Sequence, residues 1–265
     1  MPDPLALSEH AGLLVNRLGL PFTLDRGIAH RAALGLIVLA TDHTLEHEWR
    51  AMLGGLEGVA YYESRLMNSP AITPETLREM EKDIAQASRL ILPGERIDVI
   101  AFACTSGAMV IGDEAVAARI REARPGVACT TPLAAAVAGL KALGARRIAL
   151  LTPYVDRLNR MMRDDIEVRG LQVSVMGSFN HENDNEVARI DAGSVERAVL
   201  ELGAHESVDA VFVSCTSLRV ATRVEALERQ LGKPVTSSNH ALAWHSLRLA
   251  GYREPLAGFG RLMRC

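Results

Sequence analysis

Short, largely β-branched apolar runs alternate with longer amphipathic stretches along most of the chain. Leu34–Ala40, Ile97–Ala103, Arg147–Thr152, Leu171–Met176 and Asp209–Ser214 read as strands. Their near-continuous apolar character suits parallel strands covered on both faces. Between them, helical spacing runs through Pro74–Leu92, Ala115–Ala123, Leu133–Leu143, Asp156–Arg169, Val195–Leu202, Leu218–Leu231 and Ala241–Ala250. Gly144 and Gly251 follow two of these stretches, and Thr73–Pro74 precedes one, as helix punctuation requires. Alternating βα order predicts an α/β protein with a doubly wound parallel sheet and right-handed crossovers.

The pattern repeats. A shift of 111 positions carries Leu36–Thr41 onto Arg147–Thr152 and Cys104-Thr105-Ser106 onto Cys215-Thr216-Ser217. With a further four-residue offset, Thr130–Gly144 falls on Ser237–Gly251. The expected architecture is therefore two pseudo-symmetric doubly wound halves, 33–144 and 145–265, with a ligand site between them. The helices over 133–144 and 239–251 are candidates to cross over and pack on the opposite half. Residues 1–32 lie outside the repeat and read as an arm, which favours a homodimer or higher homo-oligomer.

Composition narrows the function classes. A net charge of −3 gives no electrostatic case for nucleic acid or an anionic membrane surface, and 4% aromatics make base stacking a poor fit. No apolar run approaches the ~20 residues that span a bilayer. Met1–Leu20 lacks the basic start of a signal peptide. The four cysteines, Cys104, Cys129, Cys215 and Cys265, are widely spaced and contain no CxxC. A reduced cytoplasmic enzyme is the expectation.

Each repeated cysteine follows a buried strand and precedes a stretch that reads as a helix. That is the carboxyl edge of an open parallel sheet, where such folds bind ligands. Backbone N–H groups of a following helix favour an anion or a thiolate. Thr105, Ser106, Thr216 and Ser217 can hydrogen-bond a carboxylate. Two thiols flanking one carbon are what proton abstraction on one face and return on the other require. The competing reading is that free cysteines are small buried hydrophobes, and we keep it for Cys129 and Cys265.

Other strand ends supply further candidates. Asp42 can orient or deprotonate Cys104, bind a substrate ammonium, or cap the next helix. Tyr154 can donate its phenol to a carboxylate or simply pack. Ser237-Ser238-Asn239 can bind carboxylate or cap a helix, and Asn185, in the polar loop 182–189, is within reach of the site. His43 and His47 share i, i+4 spacing but lack the Glu of an HExxH zinc motif, so no metal is expected. No glycine-rich phosphate loop follows the first strand and no GxSxG elbow is present. No cofactor is expected.

On these residues the chain resembles the Asp/Glu racemase superfamily, in the branch of maleate cis–trans isomerase and arylmalonate decarboxylase. Within it, the chain is most similar to ectoine-utilisation (EutA-type) proteins. The likeness rests on LIVLATDHTLEHE at 36–48, ACTSG at 103–107, LTPYVDRLN at 151–159, DNEVARI at 184–190, SCTSLR at 214–219 and TSSNHALAW at 236–244. It implies a cofactor-independent enzyme with a carboxylate held between two cysteines. In maleate isomerases the first cysteine, here Cys104, adds to the double bond, and the second, here Cys215, is the acid/base. The resemblance also implies substrate contacts for Tyr154 and Asn185. In racemases of the superfamily the two thiols exchange the α-proton. Arylmalonate decarboxylases lack the first thiol, which this chain has.

One departure bears on the reaction. The resemblance puts Asn in maleate isomerases, and Asp in amino-acid racemases, where this chain has Asp42. A carboxylate there repels a second substrate carboxylate by ~4 kcal/mol at close range and an effective dielectric of 20. The expectation is a racemase or epimerase of a small amino acid or its derivative, of the kind met in ectoine breakdown. The alternatives are a maleate-like cis–trans isomerase with Cys104 as nucleophile, a decarboxylase, and a non-catalytic carboxylate-binding protein.

Overall fold

The computed structural model describes residues 17–265. The first half of the expected arm, residues 1–16, therefore lies outside the described residues, and Arg17–Ile28 run exposed along the surface. The first half of the fold comprises β1 (Ala32–Leu39), α1 (Leu45–Leu53), β2 (Val59–Leu66), α2 (Pro74–Glu79), α3 (Glu81–Arg89), β3 (Val99–Ala103), α4 (Thr105–Ile111), α5 (Asp113–Ala123), β4 (Ala128–Thr130) and α6 (Pro132–Ala142). The second comprises β5 (Arg147–Thr152), α7 (Asp156–Val168), β6 (Gln172–Ser178), α8 (Asp184–Val187), α9 (Ala192–Gly203), β7 (Ala210–Val213), α10 (Val224–Leu231), β8 (Val235–Ser237) and α11 (Ser238–Leu249).

Each half holds a four-stranded parallel sheet, ordered β2-β1-β3-β4 and β6-β5-β7-β8. The two orders are the same, which is the repeat expressed as topology. Chain order reverses between β1 and β3, and between β5 and β7. Those are the switch points where adjacent crossovers leave in opposite directions and open a crevice at the strand ends. Cys104 follows β3 and Cys215 follows β7 closely, so each thiol stands at a switch point.

β1, β3 and β7 are buried throughout, as central parallel strands must be. Gly35 on β1 lets Ile100 of β3 pack close: a Cβ there would stand 2.8 Å from the Ile100 side chain. α11, which follows the last strand of the second sheet, packs on α1 and β3 of the first half and against α6. This crossing carries the residues at the start of α11 under the first half's strand ends.

Three local expectations change. The stretch Pro74–Leu92 is two helices that meet at Met80, because α2 packs on α4 whereas α3 packs on α5. One straight helix cannot serve both faces. The stretch Leu218–Leu231 is helical only from Val224, after a 3₁₀ turn over Ala221–Arg223. Its early backbone donors are taken by a side chain: Glu48 Oε1 accepts the N–H groups of Val220 and Ala221. Strand β2 had no signal because it is an edge strand with Glu63 and Arg65 on its exposed face. No helix among the described residues is long and apolar enough to cross a membrane.

Candidate active site

Cys104 caps α4, and its Sγ accepts the N–H of Gly107 at 3.2 Å. A side chain at Gly107 would crowd the thiol: a Cβ would lie 2.8 Å from that sulfur and 2.6 Å from Met80 Cε. The CTSG run therefore needs its glycine to seat the thiol. Cys215 is held differently. No helix starts at it, contrary to the expectation from sequence, since the 3₁₀ turn begins only at Ala221, and its backbone adopts φ +155°, rare for a side chain with a Cβ. Its N–H donates to Ser238 Oγ at 3.0 Å, and its Sγ accepts the N–H of Ser217 at 3.4 Å. Ser238 Oγ also accepts from Thr105 Oγ1 at 2.8 Å. One hydroxyl at the start of α11 thus ties together the segments that carry both thiols.

Both cysteines, with Thr105, Ser106, Tyr154 and Thr216, line one cavity. Its open space is about 20 Å³, room for about one water. Leu39, Ile72, Leu77 and Met80 form an apolar wall, and Asn68, Ser69 and Thr76 lie at its polar margin. Tyr154 is fully buried beside both sulfurs and Ser106, and burial pushes its phenol well above the usual range. It is a neutral donor.

The remaining acidic lining group is Asp184, which sequence reasoning did not single out. Its Oδ1 accepts from Ser217 Oγ at 2.9 Å and its Oδ2 from the Thr41 hydroxyl. Thr41 is itself held by Asn68 Nδ2 at 2.7 Å. Burial raises the Asp184 carboxyl above its ordinary value, and the Thr41 and Ser217 hydroxyls oppose the shift. The neighbouring Asn185 does not join the site. It is half-buried, outside the cavity lining, and its Oδ1 meets His43 Nε2 at 2.9 Å. His43 stands in the loop before α1, so it shares no helix face with His47. Ser217 sits behind the cavity as the partner of Asp184 rather than on its wall.

Asp42 also lies behind the wall. Its Oδ1 accepts the N–H groups of Thr44 at 2.7 Å and Leu45 at 2.8 Å, closing the turn that leads into α1, whose N-cap is Thr44. It neither lines the cavity nor bonds to Cys104. Its Oδ2 is buried with no partner at hydrogen-bonding geometry, the Thr216 side chain being the donor that most nearly serves it. Burial pushes Asp42 up to about 6.

That shift has a stability consequence. Between its unfolded value near 4 and its folded value near 6, Asp42 binds a proton more tightly in the folded chain. Its penalty is absent below about pH 4, grows as pH rises through the window, and is complete above about pH 6. Asp42→Asn keeps an oxygen for both N–H groups and removes the buried charge. We expect it to stabilise the protein by up to about 3 kcal/mol near pH 8 and by less near pH 5. Denaturant melts at the two pH values check this, and an equal change at both would contradict it.

The thiols themselves are neutral. Burial pushes Cys104 up to about 12, with the Gly107 N–H opposing and Asp184 adding to the rise. Burial pushes Cys215 higher still, and Asp184 again adds to it. The Asp184 carboxylate thus works against thiolate formation at both sulfurs. No Lys, Arg or His is among the residues lining the cavity. Among the described residues no group of three His, Cys, Asp or Glu could hold a metal ion.

The arylmalonate decarboxylase family model matches residues 34–263. The chain belongs to this family. Among its relatives, maleate isomerase of Nocardia farcinica is 31% identical over 242 residues, covering 87% of this chain and 95% of that protein. Arylmalonate decarboxylase of Bordetella bronchiseptica is 31% identical over 197 residues, covering 72% and 81%. A structure of the Nocardia farcinica maleate cis–trans isomerase mutant with a covalently bound succinylcysteine intermediate superposes with a TM-score of 0.80 at 28% identity, covering 88% of this chain and 98% of that one. The branch of the Asp/Glu racemase superfamily and the two-sheet α/β architecture expected from the motifs both hold.

Proposed function

We propose that the protein is a cofactor-independent isomerase that inverts the α-carbon of a small amino acid or amino-acid-derived carboxylate. The carrying observation is the cavity wall, which sets a carboxylate, Asp184, beside two thiols with no cationic side chain. Such a wall suits a substrate that brings its own positive charge. Burial is the main cause of the thiols' rise. A substrate ammonium on Asp184 cancels the charge that adds to it, and its own field lowers both thiols. The thiolate needed for chemistry then forms only with substrate in place.

The reaction balances without any co-reactant. One sulfur, as thiolate, takes the α-hydrogen as a proton, and the electron pair of the C–H bond passes into the adjacent carboxylate as an enediolate. The opposite sulfur, as thiol, gives its proton to the other face, leaving the roles of the two sulfurs exchanged. Tyr154, Ser106 and Thr216 are neutral donors on the wall and suit the substrate carboxylate as its charge grows.

The relatives favour a second reading, cis–trans isomerisation of a maleate-like diacid. In it the Cys104 thiolate adds to the double bond, the new single bond rotates, and elimination expels the thiolate. Two substrate carboxylates would then share a cation-free cavity with Asp184, each close pair costing ~4 kcal/mol at an effective dielectric of 20. Incubation in D₂O with single enantiomers of a panel of amino acids, those of ectoine breakdown first, tests the choice. We expect deuterium at Cα and loss of optical purity for at least one of them. Conversion of maleate to fumarate, with an intact-mass adduct on Cys104 and no α-exchange across the panel, would overturn the proposal.

A further inference from the structure

Cys104 is fixed by the helix it caps, whereas Cys215 begins a turn over 215–220 that has no helix of its own. Ser238 holds the Cys215 N–H and Asp184 accepts from Ser217, and the rest of the turn is held largely by two buried residues away from the cavity. Glu48 of α1 is 2% exposed, and its Oε1 accepts the N–H groups of Val220 and Ala221, both at 2.7 Å. Its Oε2 accepts Nδ2 of Asn239 at 2.8 Å, and the same Nδ2 donates to the carbonyl of Thr216 at 2.8 Å. Thr44 Oγ1 adds a bond to the carbonyl of Ser217 at 2.9 Å. The first half of the molecule thus grips both sides of the Cys215 turn.

The orientation of the Asn239 amide is dictated by this arrangement. Burial pushes Glu48 up to about 7, with the Asn239 amide among the bonds that oppose the rise. In its ionised form Glu48, like the Thr216 carbonyl, only accepts, so the NH₂ end points at them. The other end, Oδ1, is left buried with no partner, a cost that neutral neighbours would not impose. We propose that Glu48, acting through Asn239, is a positioning residue for Cys215, and that the unpaired Oδ1 is the consequence of that task. An acceptor at 48 is what makes Asn239 present N–H groups, one of which holds the residue after the thiol. Glu48→Gln breaks the chain whichever way its amide turns. With Nε2 toward Asn239, the asparagine must offer Oδ1 and Thr216 loses its donor. With Nε2 toward Val220 and Ala221, three donors meet and the 220–221 bonds fail.

The inference rests on Cys215 being a reacting group in the proposed isomerase, and its test reads the thiol directly as well as turnover. Glu48→Gln is compared with the swap Glu48→Gln/Asn239→Asp, in which glutamine donates to the new carboxylate and still accepts from 220–221. The swap restores the buried pair but offers Thr216 no donor. For Glu48→Gln we expect kcat for α-exchange to fall about tenfold or more with KM little changed, and alkylation of Cys215 by iodoacetamide to rise at least about threefold relative to Cys104, as the turn loosens. The swap should recover the melting temperature without recovering either readout. If Glu48→Gln does not fold, the swap carries the test alone. Turnover that returns together with stability, or a Cys215 to Cys104 labelling ratio unchanged in every folded variant, overturns the proposal. If the native protein shows no exchange, the proposed reaction fails, and the labelling ratio still decides the role of Glu48.

Discussion

Cys104→Ser and Cys215→Ser are each expected to lower inversion of configuration by about 10³-fold or more, within the range that positioned acid/base groups contribute together with their partners. A serine hydroxyl in the same seat is a far weaker acid than a thiol, and burial without a neighbouring base makes its alkoxide inaccessible. The two variants should differ in one respect that tests the geometry. Each keeps one thiol, so each can still remove and replace the α-hydrogen of the enantiomer that points it at the surviving sulfur. Exchange with retention should therefore persist for opposite enantiomers in the two variants, while chiral chromatography shows no inversion in either. Proton NMR in D₂O on each enantiomer separately makes the measurement, and melting curves confirm that both variants fold. Near-native inversion in either variant would refute the two-thiol reaction. So would exchange of the same enantiomer by both.

Much of this frame is readable from the chain because it rests on full burial. A central parallel strand is apolar on both faces, so β5 has the bounds Arg147–Thr152 that its sequence suggests, and β1, β3 and β7 differ by two residues or fewer at each end. The pairing of Cys104 with Cys215 is equally legible, since a repeat places equivalent residues at equivalent strand ends. The edge strand β2 and the three-residue β4 carry too little periodicity to register. Asp184 escaped for a different reason. The polar loop that holds it offers Asn183, Asp184 and Asn185, and composition alone does not say which turns inward. The local signal is the cap: Asn183 Oδ1 accepts the N–H of Glu186, so a helical turn starts at Asp184. Asp184 then shares a buried face with Val187 three residues on, and Asn185 is turned away. The grip of Glu48 on the Cys215 turn has no such local signature. It joins α1 to residues more than 170 positions later, and only the folded chain brings them together.

Asp184→Asn is expected to have the second-largest effect, and it acts chiefly on substrate choice. Thr41 and Ser217 can still donate to the asparagine oxygen or reorient toward its NH₂, so the wall should keep its shape. What is lost is the one negative charge that faces a bound ammonium. Truncating one partner of a buried charge pair costs about 2–5 kcal/mol, so kcat/KM for an amino-acid substrate should fall by at least about 30-fold. The same change leaves the burial that mainly raises both thiols but removes the field that adds to the rise and repels anions. Two opposite consequences follow in one variant. The thiols should alkylate at lower pH than in the native protein, and a dicarboxylate such as maleate should bind more tightly. Competition of maleate against amino-acid exchange, measured in the native protein and in Asp184→Asn, reads both sides of the trade. An amino-acid KM that does not move on removing the carboxylate would mean that no ammonium sits against Asp184, and the diacid reaction of the relatives would then be the better account of this cavity.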